Sequence, residues 1–145
     1  MPTTSNRRKN NRVHVQYAVP RRGVPSAASL RKWAGATRGV LLRVVGAREG
    51  RALNRKFRRR NYATNVLSFP YGGGRGDIVL CHPVVVSEAR AQGKTLAAHY
   101  AHLVVHGVLH LRGYDHARRS DAERMEREEV RRLGRLGFGD PYALE

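Results

Sequence analysis

The 145 residues suffice for one domain with its own core, and a lone cysteine, Cys81, excludes an internal disulfide and suits a reducing, cytoplasmic setting. The longest apolar runs are too short to span a bilayer, and the N-terminus, with no apolar stretch behind its charges, does not read as a secretory signal. Against 11 acidic residues stand 28 Lys and Arg, a formal charge of +17 that points to a polyanion, because clustered cations release counterions from a phosphate backbone.

Residues 1–12 are polar and basic and are expected to form a disordered arm ahead of a single domain over 13–145. Val13 to Val19 alternates as a first strand, stopped by Pro20. Pro25 and Ser26 open a helix to about Thr37, with Leu30, Trp33 and Ala34 on one face. Beyond Gly39, Val40 to Val45 is rich in β-branched residues and reads as a strand. Residues 48–58 are expected to be helical, with Ala52, Leu53 and Phe57 facing inward. Val66 to Phe69 is a short strand ended by Pro70. The glycine-rich loop from Gly72 to Gly76 then leads into a strand, Asp77 to Cys81, so it is not a phosphate loop, which would open a helix.

Pro83 suits the first turn of a helix running to about Gln92, with Gly93 at its end. Thr95 caps a helix from about Leu96 to Leu111 that is apolar nearly all round and is therefore expected to be buried. In a last helix, from about Arg118 to Leu136, Ala122, Met125, Val130, Leu133 and Leu136 fall within an arc of about 140°. No repeat or second domain is visible. Strands interleaved with helices, then helices alone, suggest a small mixed sheet packed against helices.

The buried helix carries His99, His102, His106 and His110 within roughly an 80° stripe. Zinc bonds imidazole nitrogen at about 2.0–2.1 Å, so its ligands must converge. Histidines four residues apart can do so. His102 and His110 cannot share one ion, since eight residues of helix rise about 12 Å. A third ligand comes from the next turn, where Gly113 can take the positive φ that returns the chain and brings His116 toward His110 and His106. The pattern H-x-x-x-H-x-x-G-x-x-H is the ligand spacing of the metzincin peptidases, and three ligands leave one position open for water. Those peptidases carry a glutamate general base after the first histidine. Here that position is Gly107, which argues against a zincin-like peptidase, although zinc can acidify its own water without that carboxylate.

The segment His106 to His116 resembles the signature of the YbeY family of bacterial endoribonucleases through its full length. Leu53, Asn54, Phe57 and Arg58, the run Thr64 to Pro70, Gly76 to Ile78, and Asp140 to Tyr142 match further motifs, so the likeness covers about Val13 to Tyr142. Phe57 stands where the family usually has tyrosine, Ala63 where it commonly has proline, and the loop after Pro70 is unusually glycine-rich and basic. The resemblance implies an α+β fold, here a mixed, mostly parallel sheet against a zincin-like histidine helix, and one zinc held by His106, His110 and His116. It implies an endoribonuclease specific for single-stranded RNA, with ribosomal RNA and the small ribosomal subunit as partners, and with no DNA or membrane partner. The roles implied are maturation of the 3′ end of small-subunit (16S) ribosomal RNA and ribosome quality control. The family's functional arginine falls on Arg58. A non-catalytic ribosome-assembly factor with structural zinc is the rival reading.

Arg58 sits in a charge run, Arg55 to Arg60, that otherwise reads as a solvated face; a catalytic Arg58 would steady phosphorane charge. His99 and His102 are open to two readings, core packing or hydrogen bonding to a ligand or substrate. Asp115 either orients an imidazole or forms a turn. Asp77 and Ser68 are substrate-side candidates whose plain alternatives are a turn and a strand-edge hydrogen bond; Asn65 stands with Ser68, and Tyr114 either stacks on a base or packs in the core.

Overall fold

The computed structural model describes residues 12–143, so all of the expected basic arm except Arg12 lies outside the described residues. Strands β1 (Val13–Tyr17), β2 (Val40–Val45), β3 (Val66–Gly72) and β4 (Arg75–Cys81) form one sheet in the order β1-β2-β4-β3. β1, β2 and β4 run parallel, and β3 lies antiparallel to β4 at the edge. Five helices accompany them: α1 (Ala27–Ala34), α2 (Ala47–Arg58), α3 (His82–Ala91), α4 (Leu96–Leu111) and α5 (Arg119–Arg135). This is one domain with the small mixed sheet against helices that the residue pattern suggested, in the α+β, mostly parallel arrangement that the resemblance implied. No helix among the described residues is long and apolar enough to cross a membrane.

The period-two alternation of β4 divides the core in two. Ile78 and Leu80 join Leu42, Val104 and Val108 in the larger cluster, whereas Val79 and Cys81 join Val45 and Leu67 on the other face, under Leu53 of α2. Each fully buried aliphatic side chain here is worth about 1.5–3 kcal/mol relative to exposure. Because β2 and β4 are covered on both faces, they read as nearly unbroken apolar runs. α4 meets β3 and β4 on one side and α1, α3 and α5 on others, which is why it is apolar almost all round. Thr95 starts it by accepting from the Ala98 amide at 3.1 Å, and Ser26 caps α1 in the same way.

Four local readings need correction. α1 ends at Ala34, three residues short of the expected Thr37, where Gly35 takes a φ of +75°. β1 ends at Tyr17, two residues early. Ala52 is exposed and Phe57 is 38% exposed, because α2 turns Gly50 and Asn54 inward instead. Pro70 does not stop β3: the strand continues to Gly72 and returns through a tight hairpin into β4, with a register shift between Pro70 and Gly72. An edge strand tolerates proline because its missing N–H leaves no ladder partner unmet.

Candidate metal centre

His106 and His110 lie one turn apart on α4 and point the same way, their ring centroids 4.6 Å apart. After Arg112 the chain reverses at Gly113, whose φ is +94°, with Gly113 N–H donating to the His110 carbonyl and Tyr114 N–H to that of Leu109. The reversal carries His116 to 4.9 Å from His110 and 5.6 Å from His106, ring to ring. One nitrogen from each of the three lies within 4.8 Å of the others. Burial, and after it the neighbouring His106 and His116, lowers the His110 imidazole to about 4, so it stands neutral at pH 7 with a lone pair available.

Glu129 of α5 is the partner behind the ligands. It is fully buried, and one carboxylate oxygen lies 2.5 Å from Nδ1 of His106. Its other oxygen receives the Tyr142 hydroxyl and lies 3.5 Å from Nε2 of His102. Burial alone would push this carboxyl up, but hydrogen bonds from His102, His106 and Tyr142 outweigh it and hold the group at about 2. An ionised carboxylate only accepts, so Nδ1 of His106 donates to Glu129 and Nε2 is the nitrogen left for a metal. Three converging imidazoles, one of them oriented by a carboxylate, make a donor set that fits zinc.

The histidines form one wall of a cleft of about 550 Å³ whose other wall is β3, through Val66, Ser68 and Pro70. Arg58, the last residue of α2, reaches it from the opposite face of the sheet. Its Nη2 donates to the Ser68 carbonyl at 2.9 Å, and its guanidinium lies 5.9 Å from the Phe69 ring centre. Arg59 ends the helix in the left-handed region (φ 57°), where its amide bonds the Arg55 carbonyl and that of Arg60 the Asn54 carbonyl.

A family model described as endoribonuclease YbeY matches residues 6–137. The chain belongs to the YbeY family. It is 50% identical to endoribonuclease YbeY of Stenotrophomonas maltophilia, over 92% of this chain and 94% of that one. It is 49% identical to endoribonuclease YbeY of Nitrosomonas eutropha, over 90% of this chain and 98% of that one. The solution structure of TM1509 from Thermotoga maritima shares the fold, with a TM-score of 0.51 and 24% identity, over 91% of this chain and 99% of that one.

Among the other residues singled out in this YbeY-family sequence, Asp115 and Ser68 line the cleft; Asp115 accepts the His116 amide at 2.7 Å, a local turn bond. His102 stands behind the three converging histidines, on Tyr142 at 3.1 Å. His99 is buried against Glu88, which also receives the amide of Asn65, itself a cleft residue. Asp77 is buried in β4 and accepts from Tyr71; it does not line the cleft. Glu129 and Tyr142 escaped the sequence reading as site residues. A signal for Glu129 existed: it lies four residues from both Met125 and Leu133, so a carboxylate falls on the apolar stripe of α5.

Proposed function

We propose that this YbeY-family endoribonuclease is a cytoplasmic, zinc-dependent enzyme that cuts single-stranded RNA, acting at the 3′ end of small-subunit ribosomal RNA and in ribosome quality control. The observation that carries the chemical part is the convergence of His106, His110 and His116 on a cleft that Arg58 enters from the other side. The ribosomal part rests on the family resemblance.

Zinc held by the three imidazoles would supply Lewis acidity toward the phosphodiester and its attacking water. Glu129 keeps His106 in the tautomer that presents Nε2, and Tyr142 keeps Glu129 in place. Arg58 is anchored through one nitrogen to the Ser68 carbonyl, which leaves the remainder of its planar fork to meet phosphate oxygens as negative charge builds. The wall of β3 orients the strand. Position 107 offers no base: a Cβ there would lie 3.0 Å from Ile78, so this position faces the sheet and a glutamate there would press on the core instead of reaching the cleft. That weighs against peptide hydrolysis by a position-107 base.

The test is incubation of metal-loaded and chelated protein with a structured RNA, reading cleavage positions. Cuts confined to unpaired segments and abolished by chelation are expected. RNA left intact by the loaded protein would favour a structural zinc in an assembly factor.

A further inference from the structure

The cleft is the first of three cavities that follow one another around the C-terminal end of α4. Asp115 borders both the cleft and a smaller cavity of about 170 Å³, and Arg112 and Gly113 border both that cavity and a third of about 830 Å³. The third is walled by Arg38, Arg75 and Arg112 and floored by the hairpin turn at Gly73 and Gly74. None of these three guanidiniums has a carboxylate partner among the described residues, whereas Arg131 and Arg132 of α5 both pair with Glu128. Two of the three are steered by what lies beneath them. A Cβ on Gly39 would lie 2.7 Å from Cγ and Cδ of Arg75, and one on Gly74 would lie 3.6 Å from Cγ of Arg112, so both stems rest on bare backbone. The middle cavity differs in chemistry. Asp115 and Asp121 disfavour a phosphate there, while Tyr114, with the Arg124 guanidinium 5.3 Å from its ring centre, offers a flat wall.

We infer that Arg38, Arg75 and Arg112 form a subsite for the sugar–phosphate backbone of the same RNA strand that is cut at the histidines, with the strand passing Tyr114 on its way. This rests on the RNA-cleaving reading above. Alternation of the lining carries the inference: an anion-binding groove, a base-sized flat wall and the metal cleft share their border residues, as a continuous strand requires. The side-chain-free floor at Gly73 and Gly74 lets a backbone approach closely. An acidic protein segment would satisfy the arginines but gives no reason for continuity with the cleft.

The experiment uses full-length, metal-loaded protein and fluorescein-labelled single-stranded RNA of about 4 and about 20 nucleotides, bracketing the usual site sizes. Affinity is read by anisotropy across a salt series for wild type, an Arg38→Ala/Arg75→Ala/Arg112→Ala variant, and a control, Arg22→Ala/Arg90→Ala/Arg127→Ala, whose residues border none of the cavities. Each phosphate contact to a single strand adds about 0.7 to the slope of log affinity on log salt, so the groove variant should lose about 2 from its slope on the long RNA. Its gain in affinity from short to long RNA should shrink, and its KM for the long RNA should rise more than its kcat falls. Gly73→Asp, which puts a carboxylate on the floor at a φ of +65° that strains aspartate less than most L residues, should act in the same direction. The inference is overturned if the groove and control variants lose equal slope, which would be a diffuse charge effect, or if the groove variant keeps the wild-type slope, as it would for a protein-docking patch. Wild-type protein that neither binds nor cuts RNA would instead overturn the underlying functional reading, and the subsite with it.

Discussion

Glu129, on the buried face of α5, accepts a 2.5 Å hydrogen bond from Nδ1 of His106 on α4. The pair ties the last helix to the first of the three converging histidines, and Tyr142 closes the arrangement from the C-terminal segment. Glu129→Gln keeps the shape but removes the charge that holds His106 in one tautomer. Zinc affinity, measured by competition with a chromogenic chelator, should fall about 10–100-fold, the usual effect of losing such a partner. Tyr142→Phe should lower it in the same direction by less. Unchanged affinity in Glu129→Gln would show that the carboxylate only fills the core.

Arg58 touches none of the three histidines and is held by the Ser68 carbonyl. Arg58→Ala should therefore leave zinc content and thermal stability near wild type. Turnover on single-stranded RNA should fall by about 10²–10³, as for deletion of one oxyanion donor. Arg58→Lys should recover only part, because an ammonium lacks the planar fork. Turnover within a few-fold of wild type would reduce Arg58 to part of a solvated basic face.

Acid should weaken the chelated protein through His110. Its folded value, about 4, lies below the ordinary 6.5, so between those two values the unfolded chain takes up a proton that the folded chain refuses. The stability that depends on this group is complete above about pH 6.5 and declines as pH falls toward 4. Urea midpoints of the metal-free protein should drop over that range. His110→Gln should show a shallower decline, and identical pH profiles for the two proteins would refute the assignment.

Gly107 is favoured by contact and not by conformation. A Cβ there meets three atoms of Ile78 at 3.0–3.2 Å. Helix propensity alone would favour a larger residue by about 1 kcal/mol, but overpacking a filled core costs about 1–3 kcal/mol and an unpaired buried carboxylate more. Gly107→Glu should lower the melting temperature by many degrees in calorimetry and show no peptidase activity on casein. A stable, peptide-cleaving variant would mean that position 107 faces the cleft.

Local chemistry was legible in the sequence where one chain segment determines it alone. The limits of α4 follow from Thr95 and from the glycine after Arg112, and the spacing of His106, His110 and His116 around Gly113 already implies convergence, since helix pitch and one turn set it. β2, β4 and the mixed sheet follow from apolar strand segments interleaved with helical ones. Other features depended on contacts between segments far apart in the chain, which periodicity cannot report. Pro70 looks like a strand terminator until β3 is seen at the sheet edge, where a missing N–H costs nothing. Phe57 looks like core until α2 rotates Asn54 inward to donate to the Tyr62 carbonyl, leaving Phe57 edge-on to Phe69. Glu129 stands out in sequence only as an acid on the apolar stripe of α5, and the packing of α5 on α4 is what gives it His106 to orient. Arg58 reaches the cleft because α2, on the far face of the sheet, ends beside the edge strand, a relation set by topology and carried by no local pattern.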